Sequence, residues 1–358
     1  MVLPAATGTA DMFSLPIADP TRAGEARRMA TALADRLGFD DTGRGAVAII
    51  ASELANNLAR HATGGELIVR ALAHAGRASA GIELLSIDRG PGIANTAQAM
   101  RDGYSTGGTA GTGLGAVRRM AHEFDLHSLP GVGTTLVARL FASGAPPATP
   151  IDVGVVSVPV HTEEVCGDGW AIDTQTPGRV LVGVFDGLGH GHSAAAAARL
   201  AERLFRENAR LAPAQVVAAL HAGLRSTRGA AVAVAELSRA RGEARFCGVG
   251  NAVASLLIGA ASRTMVSQNG TAGAEARRIQ EFSYPWPADA LLVMHTDGLS
   301  AQWQLPKYSG LRFRHPALVA AVLYRDFRRV RDDATVLVVR DAVSSLAAAP
   351  PPPPGSIA

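Results

Sequence analysis

Apolar positions in the first third of the chain recur with a helical period and then in short continuous runs. The helical period begins at Asp41 and predicts one long amphipathic helix. The core stripe of that helix consists of Val47, Ile50, Leu54 and Leu58. Strand-like runs follow at residues 65–73 and 80–88, and a glycine turn leads into a further run at residues 131–141. This part of the chain therefore combines helices with strands.

In the rest of the chain, apolar runs repeatedly meet an acidic residue at one end. Asp168 stands in CGDGW, Asp186 in VGVFDGLGHGH, Asp297 in LLVMHTDGLS, and Asp332 and Asp333 in RDDATVLVV. Strands gathered in a sheet would bring these carboxylates together, and unpaired anions at close range repel strongly at low effective dielectric. We expect a bound divalent cation to relieve that repulsion.

Stretches of proline and small residues divide the chain. ASGAPPATP, at residues 142–150, separates the two patterned halves and predicts a linker. The tail, residues 342–358, contains five consecutive prolines and predicts a solvated, disordered segment rather than a ligand for a proline-reading partner. A length of 358 residues also favours two domains. We expect one domain at residues 1–141 and another at residues 151–341.

Composition excludes several classes of function. A net charge of +3 gives no basic excess for a nucleic-acid groove. No apolar run approaches the ~18 residues of a membrane span, and the N-terminus lacks a signal pattern, so we predict a cytoplasmic protein without membrane contact. Lys307 is the only lysine and is followed by Tyr308, which excludes a P-loop. Cys166 and Cys247 lie far apart in sequence, and we expect free thiols in a reducing compartment.

Polar side chains line one edge of the predicted helix. Glu53 and Asn57 are four residues apart and share a face beside the apolar stripe, and His61 continues the row. Taken alone, such a row is more typical of a polar helix flank. A nucleotide site is the other interpretation, and it depends on the motifs that follow.

Asp88 ends the second strand-like run, with Gly90 and Gly92 just beyond. A buried carboxylate there can accept a hydrogen bond from an exocyclic amine such as that of adenine, while glycines let a planar ring approach the main chain. Asp and Gly also form ordinary turns. Farther on, a glycine-rich loop enters a helix predicted to begin near Gly113 or Leu114, where backbone N–H groups bind phosphate oxygens well. A dinucleotide fingerprint is the rival interpretation of GTGLGA, but GYSTGGTA before it is not the strand that this fingerprint needs.

In chain order, SELANN, DRGPGI, GTGLG and GVGTT resemble the four nucleotide-site motifs of the GHKL ATPases. The resemblance is to the small serine/threonine kinases of bacterial partner switching, the anti-sigma factor kinases and stressosome switch kinases, and covers about residues 10–141. It implies ATP with Mg²⁺, Glu53 as general base, Asn57 as magnesium ligand and Asp88 as the adenine-reading acid. It also implies that the adenine and phosphate sites are lined by Gly90, Gly92, Gly111, Gly113 and Gly115, with Thr134 or Thr135 at the adenine end.

Oxygen ligands without a Cys/His cluster indicate Mg²⁺ or Mn²⁺ rather than zinc for the second half. Two such ions can share a carboxylate and convert water to hydroxide for in-line attack on a phosphoryl group. We expect Asp186 to bridge the ions and the Gly187 carbonyl to be a backbone ligand. His190 could protonate the leaving serine oxygen, although His190 and His192 are equally consistent with solvated loop residues.

These acidic motifs resemble the metal-dependent protein phosphatases of the PPM family, in the SpoIIE-like branch that acts on serine phosphates in partner switching. The resemblance covers about residues 151–341 and includes GVGN at residues 248–251. It implies two Mn²⁺ or Mg²⁺ ions. The implied ligands are Asp168, Asp186, Asp297 and Asp332, with Asp333 as a substitute for Asp332.

The two resemblances together imply an α+β protein that joins a GHKL (Bergerat-type) α/β sandwich to an α-β-β-α phosphatase sandwich. We expect it to set the phosphorylation state of a STAS-type protein in a sigma-factor or stressosome pathway, and we expect a homodimer through the kinase-like domain. In the alternative, the first domain binds ATP and a partner, and controls an active phosphatase without transferring phosphate.

Overall fold

A computed structural model describes residues 12–72, 80–100, 113–146 and 149–342. The helices of this part are α1 (Arg22–Arg36), α2 (Asp41–His61), α3 (Thr96–Ala99), α4 (Gly113–Met120), α5 (His192–Glu207), α6 (Pro213–Gly223) and α7 (Pro316–Phe327). The strands are β1 (Met12–Ile17), β2 (Gly65–Leu72), β3 (Gly81–Ile87), β4 (Glu123–Leu129), β5 (Gly133–Phe141), β6 (Ile151–Val158), β7 (Asp168–Asp173), β8 (Val180–Gly187), β9 (Ala230–Ser238), β10 (Glu243–Val249), β11 (Val253–Ile258), β12 (Ala261–Thr264), β13 (Ser267–Gln268), β14 (Phe282–Pro285), β15 (Leu291–His295) and β16 (Ala334–Asp341).

The N-terminal domain is built on an antiparallel sheet. Its described strands lie in the order β1-β2-β3-β5-β4, and α1, α2 and α4 pack on one face. Helix α2 begins at Asp41 because the Asp40 carboxylate accepts a hydrogen bond from Gly43 N and caps the first turn. The predicted apolar stripe of α2 is buried against the sheet, as amphipathic packing requires. The helix and the strands predicted for this domain are confirmed.

A buried ion cluster crosses the other face of this sheet. The register places Arg70, Glu83 and Arg139 side by side on β2, β3 and β5. Glu83 accepts hydrogen bonds from Arg70 Nε at 2.5 Å and from Arg139 Nε at 2.7 Å. Burial raises the pKa of Glu83, but the two guanidinium groups outweigh it and bring the pKa down to about 2. The Arg139 guanidinium also donates to Val153 O at 2.6 Å, which ties the cluster to β6 of the C-terminal domain.

We expect Glu83→Gln to lower the free energy of unfolding by about 3–5 kcal/mol, because it leaves two buried guanidinium groups without their counter-ion. Denaturant unfolding of the intact protein, followed by circular dichroism, measures the change. The matched control is Glu25→Gln, which removes an exposed pair with Arg22 and should cost less than about 1 kcal/mol. Equal costs for the two variants would contradict the assigned importance of the buried cluster.

The lowered pKa of Glu83 also fixes the direction of a pH effect. A carboxylate whose pKa falls on folding stabilises the protein above its unfolded pKa, and this contribution disappears as the pH falls through the folded pKa. The window for Glu83 therefore runs from pH 4.5 down to about pH 2. Wild-type protein should lose more stability across this window than Glu83→Gln does.

The C-terminal domain consists of two stacked sheets with helices outside. Among the described residues, one sheet has the order β13-β10-β9-β8-β7, with β14 beside β10, and the other has the order β12-β11-β15-β16-β6. The sheets enclose an apolar core between them. Helices α5 and α6 cover the first sheet and α7 covers the second. The layer order confirms the predicted α-β-β-α sandwich.

Helix α7 is covered on both sides. One side packs on β6 and β16, and the other meets the outer face of the N-terminal sheet. Residues Pro316–Arg325 of the helix are all buried. Ile68, Leu85, Ile87 and Val137 of the N-terminal sheet belong to the same apolar cluster as the helix. The two domains therefore share a core, with α7 at its centre.

Three sequence predictions concern thiols, membrane contact and the chain ends. Cys166 and Cys247 are free, as predicted. Within the described ranges, no helix has the length and apolar character to cross a membrane. The glycine-rich loop before α4, most of the proline-rich tail and part of the linker lie outside the described residues.

Candidate functional site

Four aspartates meet at one end of the C-terminal sandwich. Asp168 opens β7 and lies opposite Asp186 of β8 in the antiparallel register. Asp297 follows β15 and Asp332 precedes β16. Because β15 and β16 are antiparallel neighbours, the end of one and the start of the other lie at the same edge. The structure thus brings together, from both sheets, the four side chains predicted to bind metal; their role as ligands stays a prediction.

The alternation of side chains along β8 explains why Asp186 points inward. Val182 and Val184 belong to the core between the sheets, and Asp186 continues the same face to the edge of that core. On β7, Trp170 likewise belongs to this core, and Asp168 lies on the same face of the strand two residues earlier. Apolar packing therefore carries both carboxylates into the gap where the sheets part.

The acids raise one another's pKa values. Burial, and then the charges of Asp297 and Asp332, raise the pKa of Asp186 to about 7. Burial and the charge of Asp186 raise the pKa of Asp168 well above its ordinary value. Burial and the charge of Asp332 also raise the pKa of Asp297. The ionised cluster therefore requires a neutralising positive charge.

A hard divalent cation fits this donor set. Buried carboxylate oxygens are the ligands that Mg²⁺ and Mn²⁺ prefer, and the Gly187 carbonyl belongs to the same strand end. Across the described ranges, no three His, Cys, Asp or Glu side chains form a finished metal-holding arrangement. The mutual repulsion of the acids nevertheless marks this strand edge as the place where a positive charge is needed.

Two residues that the sequence did not identify hold the acids in place. Asn251 Nδ2 donates to Asp297 Oδ2 at 2.6 Å, and Thr296 Oγ1 donates to Asp168 Oδ2 at 2.7 Å. Asn251 ends the GVGN motif, so its position was marked in the sequence although its partner was not. One oxygen of each of these two carboxylates is therefore anchored by a neighbouring side chain.

The structure separates the two neighbouring acids before β16. Asp333 is 3% exposed, and its carboxylate accepts hydrogen bonds from Val160 N at 2.7 Å and Gly167 N at 2.8 Å. Asp332 is partly exposed; its side chain accepts a local bond from Asp333 N and meets the Asp297 carboxylate. Asp333 therefore holds both ends of the loop between β6 and β7 against the start of β16. This structural role favours Asp332 as the metal ligand.

The alternating glycines after Asp186 have backbone reasons. A Cβ at Gly187 would lie 2.3 Å from Ala194 O, so α5 can approach only a glycine there. Gly189 and Gly191 have φ values of +87° and +72°, which side-chain-bearing residues rarely adopt. Close packing therefore requires the glycine at Gly187, and backbone conformation favours glycine at Gly189 and Gly191.

His190 borders the aspartate cluster and has a carboxylate partner. Its Nδ1 lies 2.6 Å from Glu163 Oε1, and its side chain is 59% exposed. Glu163 thereby orients the imidazole, and nothing in the local sequence around either residue indicated this pairing. His192 is the first residue of α5 rather than part of the preceding loop.

The candidate nucleotide site lies on α2 and the end of β3. Glu53 and Asn57 are partly buried one turn apart on α2, and His61 is exposed at its end. Asp88 Oδ1 accepts hydrogen bonds from Gly90 N at 2.6 Å and Thr134 N at 3.2 Å. Burial raises the pKa of Asp88, and these two backbone bonds oppose the rise.

The other carboxylate oxygen of Asp88 is available to a ligand. Asp88 Oδ2 accepts no hydrogen bond from another residue of the described ranges, while Oδ1 is held twice. Thr134 provides one of those bonds and its hydroxyl pairs with Ser128 Oγ at 2.8 Å. Thr135 is fully buried and its hydroxyl donates to His127 O. These contacts favour Thr134 over Thr135 at the predicted adenine end.

The predicted nucleotide-site glycines serve different purposes. A Cβ at Gly90 would lie 2.7 Å from His61 O, and one at Gly92 would lie 2.2 Å from Leu129 O. Both glycines are therefore required by contacts within the protein. Gly113, at the start of α4, has open space around it, and Gly115 is buried in the same helix. Gly111 lies outside the described residues.

We expect Asp88→Asn to weaken binding of a non-hydrolysable ATP analogue by about 1.5–3 kcal/mol, or about ten- to a hundredfold. Asparagine keeps the size of the side chain but replaces one acceptor oxygen with a donor, which cannot receive a bond from an exocyclic amine. Calorimetric titration measures the change. Asp35→Asn, on the exposed side of α1, is the control and should bind as wild type does; equal affinity in Asp88→Asn would contradict the adenine-reading role.

Comparison with known proteins finds two families on different parts of the chain. Residues 17–140 match the histidine kinase-like ATPase domain, and residues 176–341 match stage II sporulation protein E (SpoIIE). Serine/threonine-protein kinase RsbT of Bacillus subtilis (strain 168) is 35% identical over 113 residues, which are 32% of this chain and 84% of RsbT.

Two solved structures are also similar. A chain from a study of the bacterial stressosome, a modular system adapted to control secondary messenger signalling, is 25% identical, with a TM-score of 0.50 over 54% of this chain and all of that one. The RsbU and RsbW domains of a Mycobacterium tuberculosis protein are 20% identical, with a TM-score of 0.44 over 57% of this chain and 62% of that one.

Proposed function

The chain belongs to the histidine kinase-like ATPase family through its N-terminal domain and to the SpoIIE phosphatase family through its C-terminal domain, and from this we propose that it is a bifunctional partner-switching regulator. The C-terminal domain removes phosphate from a serine or threonine of a STAS-type protein. The N-terminal domain returns phosphate to such a protein from ATP. The observation that carries the proposal is the cluster of mutually repelling aspartates at the open end of a phosphatase fold.

The phosphatase reaction would use this cluster as a metal site. Bound Mg²⁺ or Mn²⁺ supplies charge neutralisation and an activated water for attack on phosphorus. The residues that would hold the metal are Asp168, Asp186, Asp297 and Asp332, with the Gly187 carbonyl. Asn251 and Thr296 orient two of these carboxylates. His190, oriented by Glu163, would give a proton to the serine oxygen as the phosphorus–oxygen bond breaks.

The kinase reaction would use the edge of α2. Glu53 would accept the proton of the substrate hydroxyl. The hydroxyl oxygen would attack the γ-phosphorus of ATP at the same time, and ADP would leave. Asn57, one turn farther along the same face, would bind the Mg²⁺ of the MgATP substrate. Asp88 would accept a hydrogen bond from the adenine amine through Oδ2. The rigid bonds from Gly90 and Thr134 hold that carboxylate in position.

Family membership supports the choice of partner. RsbT is a serine/threonine-protein kinase by name, and one similar structure comes from a stressosome study. We propose that this chain likewise acts on a STAS-domain protein of a partner-switching pathway, and that it dimerises through the N-terminal domain.

The test follows one phosphate on one protein. The intact chain is incubated with γ-labelled ATP and each STAS-domain protein of the same cell, and labelled serine or threonine is mapped. The labelled partner is then purified and returned to the chain with Mn²⁺ and no ATP. Incorporation followed by release supports both activities. Absence of release from every labelled or chemically phosphorylated partner would refute the phosphatase half of the proposal.

A further inference from the structure

The C-terminal end of α7 is hydrogen-bonded to the strand that carries the candidate adenine-reading acid. Arg325 Nη1 donates to the backbone carbonyl of Asp88 at 3.1 Å. The same guanidinium binds both carboxylate oxygens of Asp326, at 2.8 Å each. Arg325 is 5% exposed, so it is held in one position by these partners. A helix of the phosphatase domain therefore reaches the edge of the nucleotide site.

Further contacts surround this bond. Asp326 accepts a hydrogen bond from the Tyr308 hydroxyl at 2.7 Å and lies 4.0 Å from Nε of Arg89, the residue after the adenine-reading acid. Tyr324, the residue just before Arg325 on α7, donates its hydroxyl to Glu66 Oε1 at 2.9 Å. Glu66 lies on β2 opposite the last residue of β3. Helix α7 thus holds two adjacent strands of the N-terminal domain just where the nucleotide site begins.

The chain at the end of α7 also holds the loop that follows Asp297. Ser300 N donates to Phe327 O at 2.9 Å, and Arg329 N donates to Gly298 O at 2.7 Å. These bonds join the two segments like a short antiparallel ladder. A displacement of the end of α7 must therefore be transmitted to the residues next to a candidate metal ligand.

This loop has little room to absorb such a displacement. A Cβ added to Gly298 would lie 1.7 Å from Asp333 O. The backbone of this loop therefore rests directly on the segment that carries Asp332. Close-packed interiors transmit strain rather than absorb it. The path from Asp88 to the aspartate cluster is thus continuous, and Arg325 makes its contact with Asp88.

We propose that the nucleotide site is a regulatory site for the phosphatase, and that occupancy at Asp88 changes phosphatase turnover through Arg325 and α7. A nucleotide engages the side chain of the same residue whose carbonyl Arg325 holds. Helix α7 is buried on both faces. If Asp88 moves, Arg325 can therefore move with it only when the helix and the loop after Asp297 move as well. The proposal rests on the nucleotide binding and phosphatase activity proposed above, and it holds whether or not phosphate is transferred to a partner.

The experiment uses the intact chain and p-nitrophenyl phosphate, a small phosphoester that needs no partner protein. Turnover is measured at constant free Mn²⁺ with and without a saturating, non-hydrolysable ATP analogue. Coupling between two sites commonly amounts to a factor of five or more, so we expect turnover to change at least about fivefold. Calorimetry on the same samples shows whether the analogue binds.

The variant Arg325→Lys keeps a positive charge beside Asp326 but lacks the second arm that reaches the Asp88 carbonyl. It should keep nucleotide-free turnover and analogue binding, and its response to the analogue should fall below about twofold. Arg314→Lys is the matched control: Arg314 pairs with Asp125 across the same domain boundary at 3.2 Å but touches neither site. Its response should equal that of wild type.

A second variant covers the case in which Arg325→Lys does not fold. Tyr324→Phe removes only the hydroxyl that holds Glu66 and should reduce the response by at least about half. The inference is overturned if wild type binds the analogue and hydrolyses the phosphoester at an unchanged rate, or if both variants respond as wild type does. Failure of analogue binding or of phosphoester hydrolysis itself refutes the proposed function instead.

Discussion

Asp186→Asn should lower Mn²⁺-dependent release of phosphate from a phosphoserine protein by more than about 100-fold. Asp186 interacts with the acids of both sheets, and its pKa of about 7 records how strongly its charge is opposed by its neighbours and by burial. Asparagine has the same shape but no charge, so the cluster loses its shared anionic ligand. Loss of a group that merely supports a metal ligand already costs about 10- to 100-fold, and a ligand common to the cluster should cost more. Initial rates of phosphate release measure the effect.

The matched control for this variant is Asp173→Asn, at the far end of the adjacent strand β7. Asp173 pairs with Leu181 in the register and accepts a hydrogen bond from Gln175 N, away from the cluster. Its removal should change the rate by less than about twofold. Calorimetric titration with Mn²⁺ should show weaker binding in Asp186→Asn alone. Full activity in Asp186→Asn would show that the aspartate cluster is not the catalytic metal site.

Glu53→Gln should lower phosphate transfer to a STAS-domain partner by about 10²- to 10⁴-fold, the usual contribution of a general base. Glutamine fills the same space on α2 but cannot accept the hydroxyl proton. Binding of the ATP analogue should stay within about twofold of wild type, because Asp88 and the backbone groups that hold the nucleotide are unchanged. Transfer is measured from γ-labelled ATP in single-turnover conditions.

The control Glu25→Gln, on exposed α1, should transfer phosphate at the wild-type rate. Two other results are informative. Unchanged transfer in Glu53→Gln would assign the base to another residue. If wild type binds the analogue but labels none of the STAS-domain partners, then the N-terminal domain is the ATP-binding module that controls the phosphatase, as in the alternative set out above.

Much of the local structure could be predicted because it depends on neighbouring residues in the sequence. The apolar spacing in α2 gave a helix that begins at Asp41, and the strand-like runs became β2, β3 and β5. The acids at the strand ends could be recognised as a group, because side chains at corresponding ends of paired strands must lie at one edge. Their meeting at the end of the sandwich agrees with that reasoning.

Contacts between distant residues could not be predicted. The sequence left Asp332 and Asp333 as alternatives, and only the bonds of Asp333 to Val160 and Gly167 separate them. The pairing of His190 with Glu163 has no local signal for the same reason. The glycines after Asp186 also depend on the folded chain, through the approach of α5 to Gly187 and the positive φ values of Gly189 and Gly191.

The sequence by itself determined the long helix α2, the strands β2, β3 and β5, the two families, and the acidic and polar residues of each candidate site. All of these depend on residue type and short-range spacing, which a linear sequence contains in full. Only the tertiary structure decided that Gly90 and Thr134 hold one oxygen of Asp88, and that α7 lies between the domains with Arg325 on the Asp88 carbonyl. Such contacts arise because apolar faces of both domains are buried together on one helix, and that burial brings together groups that are 237 residues apart in the chain.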